Sequence, residues 1–245
     1  MSAQQWESAC LREMFSLAGG RVSNRKLDLF NLWCCHSLRP YLRDRRSLAA
    51  LRFADRNVDE KHPDPSEGEA VRLAAQHVVD ELDRWVHTAP RTPTEYRNRR
   101  VYLYAAHVAL KALSNDLPSR GVVPTSQFAA YAYAWANDDA PDTYPDDSPS
   151  CEKLKKEHFG LQDAIFRDLV GNPFLPVEFD SFWRTADVLG VARAIYEGGV
   201  FDRLPILADA LMDAGCAADA ILSHCRGPGP HTRGCWAVDL VLGKS

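Results

Sequence analysis

The chain has 245 residues, of which 46% are hydrophobic and 25% are charged, and its formal net charge is −4. This balance is typical of a globular protein with a core of its own, and it excludes a mostly disordered chain. The mild acidity provides no global positive field, so neither nucleic acid nor an anionic membrane surface is an expected partner.

Helical spacing recurs along the chain and alternating β-branched runs are scarce. This pattern predicts a mainly α protein, a multi-helix bundle in two parts with short connectors and little or no β structure. One expected helix follows Ser23 and carries an apolar stripe of Leu27, Phe30, Cys34 and Leu38. The helices expected in the first part cover approximately residues 4–18, 24–39, 44–57, 67–86, 95–113 and 126–136.

An acidic segment with three prolines, NDDAPDTYPDDSPS, follows at 137–150. It has little to bury and cannot form a regular helix, which is typical of a solvated linker or a long surface loop. We therefore expect an N-terminal helical part over 1–136, an acidic linker or loop over 137–152 and a C-terminal helical part over 153–245.

The C-terminal part is expected to contain helices over about 153–169 and 181–197, one capped by Asp202, one over about 218–226, and a last one ending at Leu242. The last helix is expected to begin near Thr232 or Arg233 and is apolar nearly all round, with Asp239 the exception. Such a helix is usually buried on most sides. The preceding Gly-Pro-Gly-Pro sequence (227–230) is interpreted as a rigid corner that sets its angle of entry.

Four stretches of the sequence resemble an uncharacterised protein family of planctomycete bacteria. They are SNRKLDLFNLWCCHSLRPYLRDRRSLAAL (23–51), GNPFLPV (171–177), AIYEGGVFDRLPILADALMDAGC (194–216) and ILSHCRGPGPHTRGCWAVDLVLGK (221–244). The last one carries the segment HCRGPGPHxRGCWxVDLxLGK. The resemblance covers both ends of the chain but not roughly 57–157. It implies a bacterial cytoplasmic protein with a two-part helical layout, and it transfers no catalytic residue.

The C-terminal segment contains a possible zinc site. Cys216, His224, His231 and Cys235 follow the spacing C-x7-H-C-x5-H-x3-C, with Cys225 as an alternative to His224. Zinc accepts cysteine and histidine ligands tetrahedrally. The CxxC knuckle of common zinc motifs is absent, and a cysteine on an apolar helix face behaves as a small hydrophobic residue. Cofactor-free packing and a zinc site both stay open. Cys34, Cys35 and His36 enlarge the pool of candidate ligands, but adjacent residues of one helix point in different directions, which favours a packing role for them.

The same segment also suggests an anion site. Arg226, His231 and Arg233 flank the predicted start of the last helix, where unpaired amides and the positive end of the helix dipole attract a phosphate or carboxylate. The alternative is that Arg226 and Arg233 pair with carboxylates of the same part, such as Asp202, Asp209 or Asp239.

Other patterns favour packing or a solvated surface over chemistry. No complete catalytic motif accompanies Ser223 and His224, and a Cys225–His231 pair lacks the exposure of a reactive thiol. The spacing of Asp209 and Asp213 indicates a hydrophilic helix face. Glu197 and Asp202 flank a Gly-Gly turn. The aromatic segment AAYAYAW (129–135) is typical of a core stripe, and a binding groove is the alternative. An N-terminal cluster of arginines is interpreted as a solvated face rather than a phosphate contact: Arg39, Arg43, Arg45, Arg46, Arg52 and Arg56.

These patterns predict a non-enzymatic cytoplasmic helical interaction or scaffold module with a protein partner. The alternatives are a zinc-stabilised binding protein and an enzyme or binder of an anionic small ligand. The odd number of seven cysteines favours reduced thiols in a cytoplasm. No signal peptide or membrane span is expected from the sequence.

Overall fold

The computed structural model describes residues 3–18, 20–60, 64–90, 92–113, 118–139 and 148–244. Within these ranges it contains twelve α-helices and no strand, which confirms the mainly α prediction. The helices are α1 (Ala3–Ser8), α2 (Leu11–Ala18), α3 (Asn24–Ser37), α4 (Arg45–Asn57), α5 (Pro65–Val86), α6 (Pro93–Lys111), α7 (Pro118–Asn137), α8 (Pro149–Val170), α9 (Ala186–Gly198), α10 (Leu204–Asp213), α11 (Asp219–Arg226) and α12 (Trp236–Leu242).

Helix starts follow local capping chemistry. Three N-cap side chains each accept a hydrogen bond from an amide of the first turn: Asp44 from Arg46, Asp64 from Ser66, and Thr92 from Glu95. Such caps satisfy amides that have no partner inside the helix. The expected helix over 4–18 is instead two helices, because the Glu13 carboxylate accepts the Cys10 amide at 2.9 Å and starts α2 anew.

The chain divides into two compact units. Unit 1 comprises residues 1–26 and 163–245, and unit 2 comprises residues 27–162. This division differs from the predicted one, since the first residues of the chain join the C-terminal helices in unit 1. The acidic segment falls within the range of unit 2, and its residues 140–147 lie outside the described part of the chain.

Unit 2 is built around α6, which packs against α4, α5 and α7. Its core contains Val78, Val79, Leu103 and Ala106, with a second cluster around Trp135. The aromatic segment 129–135 therefore packs in a core, since its four alanines are fully buried. Trp85 is 39% exposed, and its ring lies under the guanidinium of Arg99 at 4.8 Å.

Unit 1 is built around α9, α10, α11 and α12, which share one apolar core. Ala237, Val238 and Val241 of α12 are fully buried in it, which confirms that the closing helix lies inside. The helix begins at Trp236 rather than at Thr232 or Arg233. The chain just before it passes through a left-handed glycine, Gly234 at φ +89°, which a helix cannot include.

Two other helix starts of unit 1 also differ from expectation. Helix α9 begins at Ala186 rather than near residue 181, because Thr185 caps it through the Val188 amide. Asp202 is not a cap, since a 3-10 turn occupies Phe201–Arg203 and α10 starts at Leu204. Among the described helices, none combines the length and apolar character that crossing a bilayer requires.

Candidate functional site

Four potential metal-ligating side chains meet in unit 1: Asp168, His224, His231 and Cys235. Their ligand atoms all lie within 4.8 Å of one another. Asp168 is at the centre, with its Oδ1 2.6 Å from His231 Nδ1 and 3.2 Å from His224 Nε2. His224 Nε2 also lies 3.1 Å from Cys235 Sγ. The other oxygen of Asp168 accepts the Thr232 amide at 2.9 Å.

Each of these side chains comes from a different position in the fold. Asp168 lies in the last turn of α8, His224 in α11, His231 in the connection that follows, and Cys235 at the residue before α12. The end of α8, next to the cluster, requires a glycine. At Gly171, φ is +68° and an added Cβ would lie 3.1 Å from the Trp236 ring, so only glycine admits the indole this closely.

The indole of Trp236 in turn holds His224. Its Nε1–H donates to His224 Nδ1 at 3.1 Å, and the two ring centroids lie 4.8 Å apart. On the other side of the cluster, His231 Nε2 faces the carbonyl oxygen of Gly227 at 3.4 Å. Both imidazoles are therefore oriented by a partner at their far nitrogen as well as by Asp168.

The Gly-Pro-Gly-Pro corner places His231. Gly229 has φ +79°, and a Cβ there would lie 3.0 Å from the His231 amide nitrogen and 3.1 Å from its ring. Both the left-handed conformation and the space favour glycine at this position.

We expect Gly229→Val to lower the free energy of unfolding by about 1–3 kcal/mol, because valine would be strained and would displace His231. Chemical denaturation of the purified variant measures the loss. Gly20→Val is the matched control, since Gly20 has φ +80° but nothing within 4 Å of an added Cβ. An equal loss in both variants would show that contact with His231 contributes nothing.

Burial and hydrogen bonds act in opposite directions on the ionisable groups of the cluster. Burial alone would raise the pKa of Asp168, but hydrogen bonds from His224 and His231 outweigh it and hold that pKa below its ordinary value. The same hydrogen bond to Asp168 raises the pKa of His231. Burial, followed by the charge of Asp168, raises the pKa of Cys235 far above its ordinary value. The thiol is thus neutral beside the carboxylate, and a nucleophilic thiolate is disfavoured.

A cleft of about 820 Å³ in unit 1 adjoins the cluster. Asp168, His224 and His231 line part of its wall, and the Gly-Pro-Gly-Pro corner lines another part. Trp6 and Trp236 are among its apolar surfaces. A volume of this size falls within the roughly 300–1,000 Å³ of small-molecule sites.

Three of the four ligands predicted from the sequence are brought together, and the fourth is not. Cys216 is buried in the apolar core of unit 1 and is not a member of the cluster, where Asp168 stands in its place. Cys225, the alternative ligand, is also in that core, and burial raises the pKa of its thiol to about 12. Sequence reasoning did not single out Asp168, which lies 56 residues before His224.

The three residues of the predicted anion site have separate partners. Arg226 pairs with Asp209 at 2.9 Å, as one alternative from the sequence expected. His231 pairs with Asp168. The guanidinium of Arg233 lies over the ring of Tyr196 at 5.5 Å. The structure shows each of these side chains engaged within unit 1.

The remaining sequence candidates lie on the surface or in cores. The carboxyl-bearing residues Glu197, Asp202, Asp209 and Asp213 are exposed, as is Ser223. Cys34 and Cys35 are fully buried, and His36 pairs with Asp55 at 2.9 Å. In the arginine cluster, Arg46 binds Asp44 and Glu81, and Arg56 binds Glu67, which agrees with a solvated face.

Comparison with known proteins found no matching family model, no matching curated protein and no matching solved structure. The resemblance to the planctomycete family stays a prediction. Any function is therefore inferred from the chemistry of the cluster and its cleft.

Proposed function

We propose that the chain binds a zinc ion in unit 1, at the cluster of Asp168, His224, His231 and Cys235. The observation that carries the proposal is the convergence of these four side chains, with all ligand atoms within 4.8 Å, from the last turn of α8 and from the segment 224–235. Tetrahedral zinc, with bonds of about 2.0–2.3 Å, places its ligand atoms about 3.3–3.8 Å apart. To meet this requirement, the closest pair, now at 2.6 Å, would open by about 1 Å, and distances of up to 4.8 Å would close by about 1 Å.

Charge supports a divalent ion. Asp168 supplies one negative charge and a Cys235 thiolate a second, so a doubly charged cation makes the buried centre formally neutral. Without the ion, burial and Asp168 keep that thiol protonated. The ion would reverse this, because a coordinating thiol is deprotonated outright.

The donor atoms select the kind of metal. One oxygen, nitrogen from imidazole and one sulfur form a set that zinc accepts. Magnesium and calcium prefer oxygen donors throughout, and a thiolate disfavours both. All seven cysteines lie in described residues and are free of disulfides, so the Cys235 thiol is available to a metal.

Zinc binding is tested with purified protein under reducing conditions, by elemental analysis and by competition with a chromophoric chelator. We expect one zinc ion per chain. Asp168→Asn, His231→Ala and Cys235→Ser should each lower the affinity for zinc by more than about 100-fold. This exceeds the roughly 10–100-fold loss that follows when a residue that only hydrogen-bonds to a ligand is replaced.

Cys216→Ala is the matched control, since this buried thiol of the same unit lies outside the cluster. It should keep full zinc binding. Failure of the unaltered protein to bind zinc would refute the proposal. So would equal losses in Cys216→Ala and Cys235→Ser, because the loss would then reflect the core rather than a ligand.

The broader predictions from the sequence concern other properties of the chain. A helical interaction or scaffold role, a protein partner and a cytoplasmic location stay predictions. An anionic small ligand at Arg226, His231 and Arg233 also stays a prediction, although each of these side chains already has a partner.

A further inference from the structure

The two imidazoles of the cluster differ in what faces their far nitrogens. His224 Nδ1 receives the indole N–H of Trp236 at 3.1 Å. An indole nitrogen can only donate, so Nδ1 accepts and the proton of the neutral ring lies on Nε2. This is the nitrogen that points at Asp168 and Cys235.

A protonated Nε2 has no lone pair for a metal. Ligation through it would move the proton to Nδ1, where it would meet the N–H of Trp236 donor against donor. The hydrogen bond of a partly buried indole would be lost as well. His224 is thus held in the tautomer that does not ligate.

His231 is arranged in the opposite way. Its Nδ1 faces the centre, 2.6 Å from Asp168, and its Nε2 faces an acceptor, the Gly227 carbonyl at 3.4 Å. A metal at Nδ1 leaves the proton on Nε2, where it donates to that carbonyl. Metal-binding histidines usually donate their second nitrogen in this manner. Asp168 is likewise prepared, because Thr232 holds its Oδ2 and leaves Oδ1 to the centre.

We infer that three side chains hold the ion, through Asp168 Oδ1, His231 Nδ1 and Cys235 Sγ, and that the fourth position takes an oxygen-donor ligand from the cleft. Three protein ligands with one open position characterise catalytic rather than structural zinc. This inference rests on the proposed function.

The open position adjoins His224. The Nε2–H of this residue lies 3.2 Å from Asp168 Oδ1 and 3.1 Å from Cys235 Sγ, among the ligand atoms, and the side chain lines the cleft. An oxygen bound to the ion there receives a hydrogen bond from His224. The ligand class is a water molecule or a small oxyanion, such as a carboxylate or a hydroxamate, on a Lewis-acidic ion.

The test uses the full chain loaded with Co²⁺, whose visible absorption reports the ligands of the ion. Acetohydroxamate is the probe. We expect a saturable change of the absorption bands when it is added. His224→Ala should keep stoichiometric Co²⁺ and bind acetohydroxamate about 10-fold more weakly, the effect of one lost hydrogen bond of about 1.4 kcal/mol. His224→Gln, which retains an N–H donor, should recover part of that loss.

Trp236→Phe provides a second variant. Without the indole N–H, the proton of His224 is free to move to Nδ1, so His224 can become the fourth ligand. We expect this variant to bind Co²⁺ at least as tightly and to lose its response to acetohydroxamate.

Two results would overturn the inference, and they are distinguishable. If Co²⁺ binds but the absorption ignores acetohydroxamate, and His224→Ala loses Co²⁺ as fully as His231→Ala does, the site is closed by four side chains. The proposed zinc binding then stands. If neither Co²⁺ nor zinc binds the unaltered chain, the proposed function fails together with the inference.

Discussion

Replacing Asp239 by alanine is expected to lower the free energy of unfolding by about 3–5 kcal/mol, the cost of leaving a buried charge without its partner. Asp239 is 1% exposed and accepts Lys26 Nζ at 2.5 Å and Arg25 Nη1 at 2.6 Å. Lys26 is 9% exposed, and burial lowers its pKa while Asp239 opposes the shift. Without the carboxylate, two cations would face each other in a poorly hydrated site.

Urea denaturation measures this loss, and hydrogen exchange locates it in unit 1. Asp209→Ala is the control, because its ion pair with Arg226 lies on the surface, where such pairs contribute about 0–1 kcal/mol. In the Asp239→Ala background, Lys26→Met should recover part of the stability by removing an uncompensated ammonium group. A loss from Asp239→Ala no greater than that from Asp209→Ala would contradict the buried-charge argument.

The helices were predictable because their signals are local. Asp44 is a common N-cap residue and was placed next to the correct helix start from the sequence. Thr185 is also a common N-cap residue, but the helix that it caps was expected to begin near residue 181. The apolar character of 235–242 likewise predicted a buried closing helix, as the burial of Val238 and Val241 confirms. Capping and periodicity depend on neighbours within one or two turns, which the sequence displays directly.

The cluster was only partly predictable because its central residue is distant in sequence. His224, His231 and Cys235 share one segment, so their proximity could be expected. Asp168 joins them from α8, and nothing in its sequence spacing links it to them. One signal was present, since Asp168 lies beside Ile165 and Leu169 on the buried face of its helix. An acidic residue on an apolar face needs a partner.

The same limitation applied to Asp239. The sequence marked it as the single acidic residue of an apolar helix. Its partners Arg25 and Lys26 lie more than 200 residues earlier, on a segment that the predicted domain boundary assigned to another part. A buried carboxylate on an apolar helix therefore indicates that a long-range partner exists, but the sequence does not identify that partner.

Zinc is expected to stabilise unit 1 strongly and reversibly. An ion that binds only the folded state, at a free concentration 1,000 times its dissociation constant, adds about 4 kcal/mol to the free energy of unfolding. The ligands come from α8, from the connection after α11 and from the start of α12, so the ion ties together three segments that unfolding separates. Hydrogen exchange at the ends of α8 and α11 should slow on zinc addition and recover with a chelator.

Controls separate a bound ion from general effects of metal on the chain. Magnesium should not stabilise the protein, because a thiolate is a poor ligand for it. Cys235→Ser should lose most of the stabilisation by zinc, measured against its own metal-free stability. The stabilisation should also be larger at pH 8 than at pH 6, because the thiol and His231 must lose their protons to bind the ion. If zinc stabilises Cys235→Ser as much as the unaltered chain, the ion binds somewhere other than the cluster, and the convergence of Asp168, His231 and Cys235 reflects an ion pair and packing alone.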